Sequence, residues 1–376
     1  MKKLKKIILL GATGSIGETT IELLRNQKDK FKLIGVSANT KVTKLKKIVD
    51  EFNVKYVAIS DLNAAKKNVF EKNILIGKKG LAELASIKCD VVVSGITGAA
   101  GLLPAIIALR SGNDLAIANK EPLVIAGEFF IKESKINNAK ILPVDSEHNS
   151  IFQCFDENHR KNISHITLTA SGGPFLNLNK KYFKNIQPSD AIKHPVWRMG
   201  KKISVDSATL VNKALEVIEA GFLFNLKSNQ IDVLIHPQSI IHGMVHYQDG
   251  SVLANLSYPN MISPLSVALS YPDRLNLGLK KLDLTKISTL TFQKPDLQKF
   301  PGLKLGWDIL NQGKSYSIIM NASNEIAVEF FLKNVIRFDQ IIEMINYALD
   351  KFQFNSPKNL DDIIEIDKRT RILMKE

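Results

Sequence analysis

The run Gly11-Ala12-Thr13-Gly14-Ser15-Ile16-Gly17 follows an apolar stretch, Lys6–Leu10, and opens onto an amphipathic one, Glu18–Asn26. Glycines three apart between a strand and a helix constrain the backbone more tightly than any other feature of the chain. The first permits a tight turn, the second lets backbone N–H groups approach a pyrophosphate, and the third lets helix and strand pack closely. The pattern predicts a strand–loop–helix unit that binds a dinucleotide. The alternation continues downstream. FKLIGVSA (31–38), YVAIS (56–60), DVVVSG (90–95), DLAIAN (114–119) and KILPVD (140–145) read as strands, with helical stretches such as Thr43–Phe52 and Leu102–Arg110 between them. That order predicts a doubly wound, mostly parallel sheet over residues 1–145. The near-continuous apolar strands fit a sheet covered on both faces.

The cofactor follows from the end of the second strand. NAD-selective folds place an acidic residue there to accept the ribose hydroxyls. This chain has Ser37-Ala38-Asn39-Thr40-Lys41, with no acid before Asp50. Small polar groups and a lysine suit a 2′-phosphate, so residues 1–145 are expected to form a Rossmann-like NADP domain. Residues 146–270 mix the strands HITLTA, KISVDS, VLIHPQSIIHGMVHY and SVLANLSY with loops rich in Gly, Pro and Ser, and predict an α+β catalytic domain. Residues 271–300, with Pro272 and Pro295, read as a connector. Helical periodicity dominates 301–376, in SIIMNASNEIAVEFFLKN and FDQIIEMINYALDKF, and predicts a C-terminal helical bundle.

Composition excludes several classes. Cys89 and Cys154 are the only cysteines, too few for a disulfide framework, and predict a reducing cytoplasm. The N-terminal KKLKKIILL has the look of a signal peptide but runs straight into the glycine loop with no cleavage site. No apolar run approaches the ~20 residues that cross a bilayer. The formal charge of +14 raises the question of nucleic acid, but only eight arginines are present and the lysines are not interleaved with aromatics. Arginine is the residue that reads bases and forks onto phosphates. A solvated basic surface that steers an anionic substrate is the expected reading, with no nucleic-acid or membrane partner.

The chemistry concentrates between Pro143 and Glu216. Asp145 and Glu147 flank Ser146 just past an apolar strand. In an extended segment their side chains would point the same way. Glu216 lies three residues after Lys213 and four after Asn212, so a helix would put all three on one face. Three carboxylates with no cysteine or histidine pair call for a hard cation, Mg²⁺ or Mn²⁺. Ser171-Gly172-Gly173 offers a hydroxyl and backbone donors for an anion, and Ser207, Asn212 and Lys213 add hydroxyl, amide and ammonium. Lys120, between Asn119 and Glu121 at a strand's carboxyl end, is placed to polarise or protonate a substrate oxygen. His236, His242 and His246 lack the spacing of a zinc site and read as structural or supporting groups.

These motifs resemble one family over essentially the full length. GATGSIG, GAAGLLP, ANKEPLV, LPVDSEHNSIFQ, LTASGGPF, HPVWRMGKKISVDSATLVNKALEVIEA, LIHPQSIIHGMV and NASNEIAV stand in the order of the 1-deoxy-D-xylulose-5-phosphate reductoisomerases. The resemblance implies rearrangement of a linear ketose phosphate and its reduction by NADPH to 2-C-methyl-D-erythritol 4-phosphate, in a homodimer. It implies Asp145, Glu147 and Glu216 as metal ligands, with His148 beside them. Ser171, Ser207, Asn212 and Lys213 would grip the phosphate, with His194 closing over it, and Ser146 and Lys120 would contact the sugar. Lys120, Glu147, His148 and His194 are the implied catalytic groups. Trp197 and Met199 would ride on a flap. Thr13, Gly14, Ser15, Ile16, Asn119, Glu121 and Gly200 would line the NADPH site with Asn39, Thr40 and Lys41. Two departures stand out: family members often carry Gly-Lys-Asn where this chain has Asn39-Thr40-Lys41, and Arg198 occupies a flap position where a smaller polar residue is common.

On the residues alone two other readings stay open. One is another NADP oxidoreductase of similar plan, such as an aldehyde-forming dehydrogenase of amino-acid synthesis. It would need a nucleophilic cysteine or a lysine–aspartate pair. The other is a non-catalytic NADP-binding sensor, which has no need of three carboxylates beside a phosphate cradle.

Overall fold

The computed structural model describes residues 4–66, 70, 73–197 and 199–376. The chain divides into two compact units. The first comprises Met1–Leu123, Glu128–Asn149 and Asn260–Lys280. Among its described residues, seven strands form one sheet: β1 (Lys5–Leu10), β2 (Phe31–Ala38), β3 (Tyr56–Ile59), β4 (Leu75–Ile76), β5 (Val91–Ser94), β6 (Asp114–Ile117) and β7 (Ile141–Pro143). Their order is β4-β3-β2-β1-β5-β6-β7, and every pairing is parallel. Ile7, Ile8, Leu9 and Leu10 are fully buried, as a strand with helices on both faces requires. The chain winds outward from β1 in one direction, then returns to β5 and winds outward in the other. The crevice between β1 and β5 is therefore the switch point where open α/β sheets bind ligands, and the glycine loop leaves β1 there.

Asn260–Lys280 belongs to this first unit although it lies far along the chain. Its helix, Ile262–Ser270, packs on β6, β7 and the helix Ser15–Asn26. Asn149 donates to Pro264 O at 3.1 Å and Lys5 to Leu269 O at 2.9 Å. The strand β4 and the helix Gly77–Ser86 have no counterpart in the sequence reading. A two-residue strand is too short for a periodicity to register.

The second unit comprises Val124–Gly127, Ser150–Pro259 and Lys281–Glu376. It holds an α+β part and a helical bundle. The sheet has β8 (Ile163–Ala170), β9 (Ile231–Ile235), β10 (Ile241–Tyr247) and β11 (Val252–Leu256) in the order β11-β10-β8-β9. The pair β8–β9 is parallel and the other pairs are antiparallel. The C-terminal helices are Lys304–Gln312, Lys314–Leu332, Gln340–Lys351 and Leu360–Leu373. Gln340–Lys351 buries Ile341, Ile345 and Ala348, one stripe at helical spacing, against Lys314–Leu332.

Two sequence expectations fail here. VLIHPQSIIHGMVHY is not one strand, since a turn over 236–240 divides it between β9 and β10. KISVDS is not a strand: Lys201–Ala208 is a helix that starts after Gly200. Its β-branched Ile203 and Val205 favour a strand locally, but Ser204, Val205, Asp206 and Ala208 are buried. Ser204 to Ala208 is one helical turn, and burying that face outweighs the propensity, which is a weak prior.

Candidate functional site

The dinucleotide loop lies wholly in the first unit. Gly11 takes φ +83°, and a Cβ there would lie 2.8 Å from Gly95 O; one on Gly17 would lie 2.4 Å from Gly11 O. Both positions are closed to any side chain. A Cβ on Gly14 would meet only Gly11 O, at an ordinary 3.5 Å, and Gly14 and Ser15 are exposed at the start of the helix Ser15–Asn26, where the first-turn N–H groups and the helix dipole favour an anion. Ser37 is buried and accepts from Gly11 N at 3.0 Å, so it braces the loop from β2. Asn39, Thr40 and Lys41 are exposed just beyond β2, and Asn39 Oδ1 accepts from Ser60 Oγ at 3.0 Å. Asn119, two residues past β6, donates to Gly98 O at 2.9 Å and precedes, without a side-chain capping bond, the helix that begins with Lys120 and Glu121, both buried.

The first acidic cluster follows β7. Asp145 Oδ1 lies 2.9 Å from Lys120 Nζ, and Oδ2 lies 3.5 Å from His148 Nδ1. Ser146 Oγ donates to Glu147 Oε2 at 2.5 Å. The extended geometry expected for Asp145–Glu147 is not what forms: Ser146–Cys154 is a helix, with Asp145 immediately before it accepting from Asn149 N. Strand alternation therefore does not set the directions of the two carboxylates. The first helical turn does, and it brings His148 to Asp145. Asp145 Oδ2 is buried and makes no hydrogen bond among the described residues, a charged oxygen with capacity left for a cation.

The second unit carries the other candidate groups. The helix Val211–Leu223 places Asn212, Lys213 and Glu216 on one face, as their spacing predicted. Glu216 is 0% exposed and accepts from Asn212 Nδ2 and Lys213 Nζ, each at 2.5 Å. Lys213 is itself only 3% exposed. Two opposite charges so deeply desolvated are costly unless the site uses them. The helix begins at Leu210, a left-handed residue with φ +59°, which turns the chain sharply out of Lys201–Ala208.

Ser171 follows β8. His194 Nδ1 accepts from Val196 N at 3.2 Å and Trp197 N at 2.9 Å. With Nδ1 an acceptor, a neutral ring carries its proton on Nε2 and donates to Ser171 Oγ at 3.0 Å. Gly173 N also donates to that oxygen, at 3.3 Å. Ser171 Oγ thus accepts twice, which leaves its own O–H to donate. Gly173 takes φ +69°, and a Cβ on it would meet Ser207 O at 2.8 Å, so the glycine loop rests directly on Ser207.

The Trp197 ring lies 6.4 Å from that of His242. Met199 and Gly200 lead into Lys201–Ala208, while Arg198 lies outside the described residues. His236 uses both ring nitrogens on Thr291 O and Ile240 N, which makes it a structural group. Cys89 is buried in the first unit. Burial, reinforced by Asp90, pushes its thiol up to about 12, which removes it as a nucleophile. Glu219, buried on the same helix as Glu216, was missed by sequence reasoning. The signal was there: a second acid three residues on, in a helix whose residues from Lys213 to Gly221 are all buried.

Three family models match the chain. The 1-deoxy-D-xylulose 5-phosphate reductoisomerase model covers residues 7–127, its C-terminal domain model 141–224, and the DXP reductoisomerase C-terminal domain model 256–373. A curated 1-deoxy-D-xylulose 5-phosphate reductoisomerase of Clostridium perfringens is 46% identical, over 98% of each chain. That of Clostridium novyi is 44% identical, over 99% of each. Among solved structures, the Zymomonas mobilis enzyme in complex with NADPH is 38% identical over 100% of both chains, with a TM-score of 0.93. A DOX-P reductoisomerase in complex with NADPH, fosmidomycin and magnesium is 39% identical over 99% of this chain and 98% of that one, with a TM-score of 0.94.

Proposed function

The chain belongs to the 1-deoxy-D-xylulose 5-phosphate reductoisomerase family, and from that premise we propose how its residues divide the work. It is an NADP-dependent oxidoreductase of the non-mevalonate isoprenoid pathway. With NADPH and a divalent metal it converts 1-deoxy-D-xylulose 5-phosphate to 2-C-methyl-D-erythritol 4-phosphate.

Asp145, Glu147 and Glu216 are the metal ligands we assign. An all-oxygen, anionic donor set fits Mg²⁺ or Mn²⁺. Asp145 Oδ2, buried with no hydrogen bond among the described residues, and the wholly buried Glu216 carboxylate suit that role. A bound ion would supply Lewis acidity toward the sugar's oxygens, and bound NADPH would supply the hydride. Lys120, held by Asp145, delivers a proton or a hydrogen bond to a sugar oxygen, and Ser146 orients another. Glu147 and His148 complete the polar wall on that side.

Ser171, Ser207, Asn212 and Lys213 hold the phosphate, with His194 fixing the Ser171 hydroxyl. The phosphate does not react, so its binding energy serves to orient the part of the substrate that does. Trp197 and Met199 cover the bound sugar and exclude water. Thr13, Gly14, Ser15, Ile16, Asn119, Glu121 and Gly200 face NADPH, and Asn39, Thr40 and Lys41 take its 2′-phosphate. A homodimer is the assembly we infer, supported by the edge strand β11, which leaves Val252 and Leu253 exposed. Among the described residues no helix is long and apolar enough to cross a membrane. Two cysteines in the whole sequence are too few for a disulfide framework, which supports the inference of a reducing cytoplasm.

The observation that carries this division is the Ser171 hydroxyl, whose oxygen accepts from His194 and Gly173 and so keeps its O–H to donate, in the same unit as the buried Lys213–Glu216 pair. The Lys120–Asp145 pair is common ground with aldehyde-forming dehydrogenases. A phosphate cradle is not. Purified protein should consume NADPH only when both the ketose phosphate and a divalent ion are present, and should release the branched polyol phosphate. Turnover that survives chelation, or that needs no phosphate on the sugar, would overturn the assignment.

A further inference from the structure

NASNEIAV, in the long C-terminal helix Lys314–Leu332, has no part in the chemistry above, yet it supplies a fully buried polar group to the helix that carries Ser207. We propose that Asp206 and Asn324 are positioning residues that hold the phosphate cradle in register, an inference that rests on the cradle reading of Ser171, Ser207, Asn212 and Lys213.

Asp206 is 1% exposed and stands next to Ser207. Its Oδ1 accepts from Asn324 Nδ2 at 2.9 Å, and its Oδ2 lies 2.8 Å from Lys202 Nζ, one turn back on the same helix. Its backbone carbonyl accepts from Thr209 Oγ1 at 3.1 Å. Thr209 Oγ1 in turn accepts from Val211 N at 3.4 Å, across the left-handed elbow at Leu210. Asn212 and Lys213 follow at once. On the other side, Gly173 rests against Ser207 O, which ties the Ser171 loop to the same helix. The backbone of Asp206 and Ser207 thus meets both arms of the cradle, and Asn324 holds that stretch in place by gripping the Asp206 carboxylate from the C-terminal bundle.

Packing alone does not call for this arrangement. A buried carboxylate is expensive to desolvate, and apolar residues of similar volume commonly replace such groups without loss of stability. What a charge-assisted hydrogen bond adds is direction. Asn324 Oδ1 is buried and has no hydrogen-bond partner among the described residues, so the amide serves through its N–H₂ group. That is the mark of a group kept for one bond.

Steady-state kinetics of Asn324→Ala, Ser207→Ala and the double variant test the inference, with inorganic phosphate as a competitive probe of the cradle. Losing one hydrogen bond to a charged group corresponds to about a tenfold change or more. Asn324→Ala should therefore raise KM for the sugar phosphate and Ki for inorganic phosphate about tenfold, while KM for NADPH moves less than about twofold. The double variant should fall well short of the product of the singles, because both changes act on one hydroxyl. Should Asn324→Ala lose its circular-dichroism spectrum, Asp206→Asn, which keeps the volume, carries the same expectation. Equal rises for both substrates, an unchanged phosphate Ki, or a double variant equal to the product of the singles would each overturn the positioning role. If Ser207→Ala itself leaves the phosphate Ki unmoved, the cradle reading is what has failed.

Discussion

Glu216→Gln separates a metal ligand from a structural carboxylate without changing side-chain volume. Glu216 is 0% exposed and bonded at 2.5 Å to both Asn212 and Lys213. Neutralising it leaves the Lys213 ammonium, itself 3% exposed, without that counter-charge. Breaking one side of a buried ion pair costs about 3–5 kcal/mol, which at this chain length lowers Tm by about 4–6 °C. Lys213→Met breaks the same pair from the other side and should cost a similar amount in metal-free buffer. The two variants then diverge when Mn²⁺ is titrated in without substrate. A ligand at a hundred times its Kd stabilises by about 2.7 kcal/mol, so the wild-type Tm should climb by several degrees. Lys213→Met should climb at least as far, because the ion replaces the missing positive charge beside Glu216. Glu216→Gln should barely respond. Calorimetric scans across the titration read the difference directly, independent of turnover. An equal Mn²⁺ response in Glu216→Gln and wild type would refute Glu216 as a ligand. Loss of the response in Lys213→Met would refute the charge argument.

Two further outcomes are expected. His246 on β10 stacks on His165 at 4.0 Å between ring centroids and bonds Thr167 Oγ1, with Asp232 facing His165 at 3.5 Å. Burial, then the neighbouring His165, holds the His246 pKa below its usual 6.5 against the opposing pull of Asp232. The unfolded chain therefore takes up the proton first. The contribution of His246 to stability is intact above about pH 6.5 and is lost as pH falls through the lower folded value. Tm should drop between pH 7 and pH 5, and less steeply in His246→Gln; an identical slope in the variant would count against the stacked pair. Gly17→Ala forces a methyl to within 2.4 Å of Gly11 O, an overpacking that costs about 1–3 kcal/mol. NADPH affinity, followed by fluorescence titration, should fall along with Tm, and retention of both would mean the loop has room that its geometry denies.

The first unit was largely legible in the sequence. Lys6–Leu10, Phe31–Ala38 and the strands up to Pro143 are apolar enough that burial on both faces is the one stable arrangement, and GATGSIG specifies the turn chemistry at the switch. What escaped was short or non-local. β4 spans two residues, and Asn260–Lys280 returns to the first sheet through contacts such as Asn149 to Pro264, more than a hundred positions apart. No window of local periodicity contains such a contact.

Near the chemistry, the errors share a cause. KISVDS reads as a strand because Ile203 and Val205 are β-branched, and VDSEH reads as extended because it trails off a strand. Both are helical in the fold, and both adjoin proposed ligands. In each, tertiary demand overrides local preference: Lys201–Ala208 must turn Asp206 inward to Asn324 while Ser207 remains beside the Gly173 loop, and the turn after Asp145 must bring His148 back to it. Propensity is worth a few tenths of a kcal/mol per residue, whereas a buried charge left without its partner costs several. Where acidic residues are dense and buried, that difference in scale makes the placement of charge, rather than the pattern of apolar residues, the better guide to local structure. Glu216 illustrates the rule from the other direction: its spacing from Asn212 and Lys213 predicted a shared helical face, and the helix forms with all three on it.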